Sequence, residues 1–268
     1  MPECKSPRPT TSPKNPAMHF NRSLLLIAVS FFPIIAQGAG VPEIISKADA
    51  LDKLGKNQEA LAVCLEAEKL APNDGEVLRR VAKQYAEIVL EGKDQAAKRA
   101  SADKAVSYAR RAVAASPKNA LTHLSLAICY GRAATVSEAK TKIAYSKLIK
   151  EYADNALALD PNNDLTYFVL GSWSYEIANL NGFLRAMARV VYGALPTATN
   201  KDAARFLEKA VALNPRRVSS HAALGRTYAA LGDRERARQS LNTALSLPDG
   251  DKADGTVKQQ AREDLAKL

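Results

Sequence analysis

The sequence predicts an all-α protein, an α-solenoid built from consecutive helix pairs. An alanine-rich composition with 13 glycines and 13 prolines in 268 residues favours helix over strand. Proline also recurs after apolar helical segments, with spacings of 45, 44, 54 and 33 residues. Such a recurrence is typical of stacked helical repeats. The prolines are Pro72, Pro117, Pro161, Pro215 and Pro248.

The N-terminal segment is predicted to be a targeting sequence rather than part of the folded domain. Residues 1–17 are rich in Pro, Ser and Lys, which indicates disorder or an over-long start. Residues 18–38 are predicted to be a signal peptide, since an apolar run at 24–36 is short for a membrane span and ends in small residues. Cleavage would make residues 39–268 an exported domain, periplasmic or secreted. The alternative is an uncleaved membrane anchor at 18–36.

The last repeat, residues 218–248, shows the packing pattern most clearly. Small residues occur where two paired helices approach closely, and large residues fill the space beside them. The small residues are Gly225, Ala237 and Ala244, the large ones are Leu224, Tyr228 and Leu241, and Gly232 and Asp233 form the turn. This pattern matches the tetratricopeptide repeat (TPR) consensus at nearly every signature position, so the chain resembles TPR proteins.

The chain as a whole is predicted to contain about five helix pairs, of which the middle three are lengthened. The first pair has the regular spacing, with Ala48, Gly55, Ala60, Ala67 and Pro72 at signature positions. In the second and third pairs the extra residues extend the second helix, which is predicted over 95–115 and 139–159 respectively.

The fourth pair contains a longer insertion, and a last helix follows the fifth. Residues 181–199 predict a short amphipathic helix that carries Arg185 and Arg189 and that Pro196 ends. Thr199 or Asn200 is expected to cap the helix after it. A C-terminal helix at about 254–267 is expected to cap the last apolar face of the solenoid.

A narrower resemblance depends on the lengthened repeats. It is carried by residues 142–164, by residues 169–199, and by ARFLEKAVALNP followed by LGRTYAALGD. The most specific signal is Gly-x-Trp-x-Tyr at 171–175 followed by Pro-Thr-x-Thr at 196–199. Over about residues 75–265 the chain resembles the regulator of microtubule dynamics protein family. The resemblance implies microtubule association and, in animal members, attachment to membranes or organelles.

The residue types argue against catalysis, a metal site or a cofactor. The only histidines are His19, His123 and His221, and the last two occupy the same repeat position, which favours packing. The segment that starts at Asp160 resembles a calcium loop but has Leu165 and Gly171 where Gly and Glu are needed. We therefore expect a non-enzyme without cofactors.

Two further observations concern packing. Cys64 and Cys129 fall at apolar helical positions outside any C-x-x-C pair, so they are expected to be buried hydrophobes. Trp173 and Tyr175 lie on a first helix, where aromatic residues at helical spacing usually belong to the core, although a groove surface is the alternative.

The function that remains is binding of a protein or peptide in a concave groove lined by the first helices. A net charge of +10 could serve an acidic protein, an anionic membrane surface or nucleic acid, but the lack of a long Lys/Arg cluster favours an ordinary soluble surface and argues against nucleic acid. Groove cations would receive carboxylates through charge-assisted hydrogen bonds, although a solvated charged face is an equal alternative. By TPR position the groove residues are Arg79, Lys83, Arg132, Ser172, Glu176 and Arg226.

Overall fold

A computed structural model describes residues 40–92, 94–192 and 197–268, and these belong to one compact unit, Ala39–Leu268. The described part contains twelve α-helices and no strand. They are α1 (Val41–Lys53), α2 (Asn57–Leu70), α3 (Gly75–Glu91), α4 (Gln95–Ala115), α5 (Ala120–Thr135), α6 (Ala139–Leu159), α7 (Asp164–Ala178), α8 (Gly182–Tyr192), α9 (Asn200–Leu213), α10 (Val218–Ala230), α11 (Arg234–Ser246) and α12 (Asp254–Ala266). The predicted leader segments, 1–17 and 18–38, and Pro196 lie outside the described residues.

The helices pack as five pairs, which confirms the predicted α-solenoid. The pairs are α1 with α2, α3 with α4, α5 with α6, α7 with α9, and α10 with α11. The inserted helix α8 contacts α6 and leaves Phe183 and Val190 exposed. Helix α12 packs on α10 and α11 and covers the last apolar face, as predicted.

Three of the recurring prolines lie just before the start of a first helix. Two residues after each of these prolines, an Asp or Asn side chain caps that helix. Asp74, Asn119 and Asn163 each accept a hydrogen bond from the first turn of α3, α5 and α7. The lengthened second helices α4 and α6 are continuous over 21 residues each, with the predicted bounds. Thr199 caps α9 through a reciprocal capping box with Asp202.

Glycine fixes the tight turns of the two regular pairs. Gly55 has φ of 72° and Gly232 has φ of 79°, and both lie between the first and second helix of their pair. This left-handed conformation is strained for residues with a Cβ atom. The first and fifth pairs therefore share one turn geometry.

Small residues set the distance between paired helices. A Cβ atom at Gly171 would lie 2.6 Å from Leu207 Cγ, and one at Gly225 would lie 2.6 Å from Leu241 Cγ. Both leucines are fully buried. The fourth and fifth pairs thus use the same glycine-on-leucine contact, as the repeat pattern predicts.

The histidines and the tryptophan pack in the interior, as predicted. Nε2 of His123 lies 2.8 Å from the Pro117 carbonyl oxygen, and Nε2 of His221 lies 2.9 Å from the Pro215 carbonyl oxygen. Trp173 is buried and donates its indole N–H to the Ser146 carbonyl oxygen at 2.8 Å. The histidines thus link a helix to the turn before it, once in each of two equivalent repeats.

Cys64 and Cys129 are buried, which leads to a testable prediction. Burial raises the pKa of Cys64 to about 11 and that of Cys129 to about 12. Because the thiolate is the nucleophile, we expect iodoacetamide at pH 8 to alkylate these two thiols far more slowly in the native protein than after unfolding. Alkylation of the native protein at the unfolded rate would contradict the packing.

The same two pKa values determine how the thiols affect stability. Folding raises both of them above the ordinary value of 9.0. The two buried thiols therefore make their full contribution to the free energy of unfolding below pH 9.0. That contribution is lost as the pH rises from there through the pKa values of the folded state.

Candidate functional site: the groove face

The first helices form the inner layer of the array. Helix α5 packs against α3 and α7, and α10 contacts α7 and α12, while ion pairs join α1 to α3. Among the described residues, the second helices pack less against one another: Glu68 of α2 bonds to Tyr108 and Arg111 of α4, and α4, α6, α9 and α11 do not pack extensively together. Neighbouring helices that touch on one side and diverge on the other describe a curve. We call the layer of α1, α3, α5, α7 and α10 the groove face.

Two of the predicted groove cations already have carboxylate partners. Arg79 donates to both oxygens of Glu76 on its own helix, at 2.7 and 2.6 Å, and its side chain is mostly buried. Lys83 pairs with Asp52 of α1 at 2.5 Å. Burial opposes ionisation of Asp52, but hydrogen bonds from Lys83 and Gln84 lower its pKa overall. These two cations stabilise the contact between the first two pairs and are less accessible to a ligand.

Arg132 differs from these two cations. It lies in the last turn of α5 and is half-buried, and its Nε atom is shielded without a hydrogen-bond partner. Within the described part of the chain, no carboxylate forms an ion pair with its guanidinium group. A partly desolvated cation without a counter-charge is a favourable place for an incoming carboxylate.

Three other predicted residues, Ser172, Glu176 and Arg226, come together around one small cavity of about 30 Å³. This volume is enough for about one water molecule. Arg226 has only a long ion pair, 3.7 Å to Asp264 of α12, and its side chain is 43% exposed. The cavity is lined also by Tyr175, Leu207, Ala223 and Thr227. The structure therefore places Tyr175 at the groove surface, whereas Trp173 is in the core.

A contact between the two ends of the array was missed by sequence reasoning. Lys252, in the turn between α11 and α12, donates to Asn57 at 2.7 Å and pairs with Glu87 at 3.2 Å and Asp52 at 3.3 Å. Asn57 and Asp52 lie 195 and 200 residues before it in the chain. No repeat position relates a lysine in the last turn to acids in the first pairs, so only the curvature of the array reveals this contact.

The described residues include neither a metal-binding cluster nor a membrane-spanning helix. No group of three or more His, Cys, Asp or Glu side chains is arranged to hold a metal ion in the described ranges. Within those ranges, no helix is both long and apolar enough to cross a membrane.

Comparison with known proteins identifies relatives along almost the whole chain. The family model for regulator of microtubule dynamics protein 1-3 matches residues 44–268. Regulator of microtubule dynamics protein 1 of Mus musculus is 28% identical over 262 residues, which cover 93% of this chain and 85% of the relative. The Bos taurus protein of the same name is 25% identical, and the match covers 91% of this chain and 81% of the relative.

Solved structures show the same fold. A thermophilic TPR protein of Thermus thermophilus superposes with a TM-score of 0.62 at 17% identity, and the match covers 85% of this chain and 100% of that protein. At this identity the likeness establishes the architecture and no more. The lengthened repeats are thus built on a TPR array, and the chain belongs to the regulator of microtubule dynamics protein 1-3 family.

Proposed function

We propose that the chain is a non-catalytic adaptor that binds an acidic protein or peptide segment on its groove face. The observation that carries the proposal is Arg132, a half-buried cation with no carboxylate partner among the described residues. Arg226, on the same face, is only loosely paired with Asp264. Two such cations on one face suit an extended chain with more than one carboxylate.

The contacts at the groove also indicate how selective it is. Arg79 and Lys83 are held by Glu76 and Asp52, so the positive charge available to a ligand is concentrated toward α5 and α10. Glu176 lies beside Arg226 and would repel an acidic group placed directly on it. The ligand carboxylates are therefore expected to alternate with neutral residues rather than to form one dense block.

A peptide titration tests the proposal. Fluorescein-labelled peptides of alternating Glu and Gly, about ten residues long, would be titrated with residues 39–268 at low salt and followed by anisotropy. We expect saturable binding that weakens as the salt concentration rises, because the contacts are between charges. A Lys/Gly peptide of the same length is the control. Equal binding of both peptides, or of neither, would overturn the proposal.

Family membership supports a second candidate, in which the acidic partner is a microtubule. The relatives are named for regulation of microtubule dynamics. Tubulin tails are acidic, so the groove chemistry proposed for a peptide would apply to them as well. Sedimentation with stabilised microtubules tests this candidate, with proteolytically tail-less microtubules as the control. Co-sedimentation that is lost with the tails would support it, and the absence of sedimentation would reject it.

We also propose that residues 18–38 direct export and are removed. The support is the short apolar run followed by small residues in the sequence. Mass spectrometry of the mature chain tests this, and a start at or near Ala39 is the expected result. A chain that keeps Met1 or Met18 would instead support the membrane anchor at 18–36. It would also favour the microtubule as the partner.

A further inference from the structure

The turn between α11 and α12 has a defined conformation of its own. The buried carboxylate of Asp254 accepts hydrogen bonds from the backbone N–H groups of Gly250 and Asp251, each at 2.8 Å. Lys258 donates to the Leu247 carbonyl oxygen at 2.6 Å, which holds the start of the turn. Lys252 is therefore presented by a preorganised turn rather than by a loose loop.

Lys252 enters a notch made by three different helices of the first pairs. Its ammonium group contacts Asp52 of α1, Asn57 of α2 and Glu87 of α3. Asn57 is buried, and its side-chain amide also donates to Glu91. Lys83 already pairs with Asp52, and Lys252 supplies the second cation of the notch, the one that pairs with Glu87.

Glu87 and Arg132 occupy the same position in neighbouring repeats. Glu87 comes two residues after Tyr85, and Arg132 two residues after Tyr130, the equivalent tyrosine. Helices α3 and α5 pack together at this level, where the Cys129 thiol lies 3.9 Å from the Ala82 carbonyl oxygen. Glu176 holds the same position in the repeat on the other side of Arg132. Of these two acids, Glu87 lies on the helix that packs extensively against α5, yet it pairs with Lys252 instead.

We propose that Lys252 is a positioning residue for the acidic-ligand site: it clasps the last turn to the first pairs and, by holding Glu87, leaves Arg132 unpaired for a ligand carboxylate. This inference rests on the proposed function and adds a way in which ligand binding at Arg132 is regulated. When the clasp opens, Glu87 pairs with Arg132 and competes with the ligand. A basic partner that binds the notch in place of Lys252 would keep Glu87 engaged.

The test is a double-mutant cycle on binding of the Glu/Gly peptide. Lys252→Ala is expected to weaken binding by about tenfold, because a charged hydrogen-bond partner becomes available to Arg132. Glu87→Gln is expected to change binding by less than about twofold in the wild-type background but to restore most of the loss in the Lys252→Ala background. Lys118→Ala, which removes a cation from an exposed outer turn, controls for net charge.

Additive effects of Lys252→Ala and Glu87→Gln on the binding free energy would overturn the positioning role, because two charges that act only at long range contribute independently. A ligand-free measurement tests the clasp separately. Spin labels at Glu66→Cys and Thr256→Cys in residues 39–268, where the native Cys64 and Cys129 are buried, report the distance between the ends of the array. We expect a narrow distribution that becomes longer and broader in Lys252→Ala, and an unchanged distribution would overturn the clasp. If the wild-type chain does not bind the peptide, the proposed function and the positioning role both fail, while the distance still decides the clasp.

Discussion

Gly225→Val is expected to destabilise the folded chain by about 3 kcal/mol, because it overfills the contact between α10 and α11. Even the first added carbon would lie 2.6 Å from Leu241 Cγ and 3.2 Å from the Ala237 carbonyl oxygen. Leu241 is fully buried and the carbonyl belongs to the backbone of α11, so neither atom moves without separating the helices. Thermal unfolding should shift down by about 6–12 °C for a chain of this size.

Gly131→Val is the matched control for this substitution. Gly131 also lies within a first helix, but a Cβ atom there meets no neighbouring atom within 4 Å. Since valine has a better helix propensity than glycine, we expect this variant to stay within about 1 kcal/mol of the wild type. Gly171→Val should resemble Gly225→Val, because its added carbon meets Leu207 at the same distance. Similar stabilities for all three variants would contradict the close helix contact.

Arg132→Glu is expected to weaken binding of the Glu/Gly peptide by at least about tenfold, the largest effect of any groove substitution. It removes a charge-assisted hydrogen bond to the ligand, worth about 1.5–3 kcal/mol, and adds a repulsive charge. Anisotropy titration against the wild type measures the change, and thermal unfolding of the same samples checks that the variant is folded.

Lys118→Glu makes the same kind of charge reversal on an exposed turn between α4 and α5. We expect it to lower affinity by less than about threefold, since screened charges at a distance contribute little. If Lys118→Glu and Arg132→Glu had equal effects, binding would depend on net charge alone, and the groove would not be the site.

Local patterns were sufficient to predict most of the fold. The bounds of α4 and α6 follow from uninterrupted helical periodicity. Asp94 caps the start of α4 and both helices end shortly before a proline, whereas α6 begins after Glu138 without a side-chain cap. The burial of Ala237 and Leu241 follows from the repeat consensus. These features depend on neighbours within one pair of helices, and that information is contained in short stretches of sequence.

The electrostatic state of the groove was not predictable in the same way. The repeat position places Arg79 and Arg132 on the same kind of surface, but it does not reveal that Glu76 engages one of them and that no described acid engages the other. That difference depends on rotamers and on distances between helices. The contacts of Lys252 were the hardest to predict from the sequence, because they depend on the summed curvature of five helix pairs.

Photo-crosslinking tests whether an acidic segment binds on the groove face. A Glu/Gly peptide with a benzophenone group at its centre would be irradiated with residues 39–268, and the linked residues would be identified by mass spectrometry. We expect crosslinks in α5, α7 and α10 that unlabelled peptide competes away. Crosslinks confined to the second helices α4, α6, α9 or α11 would contradict binding on the groove face.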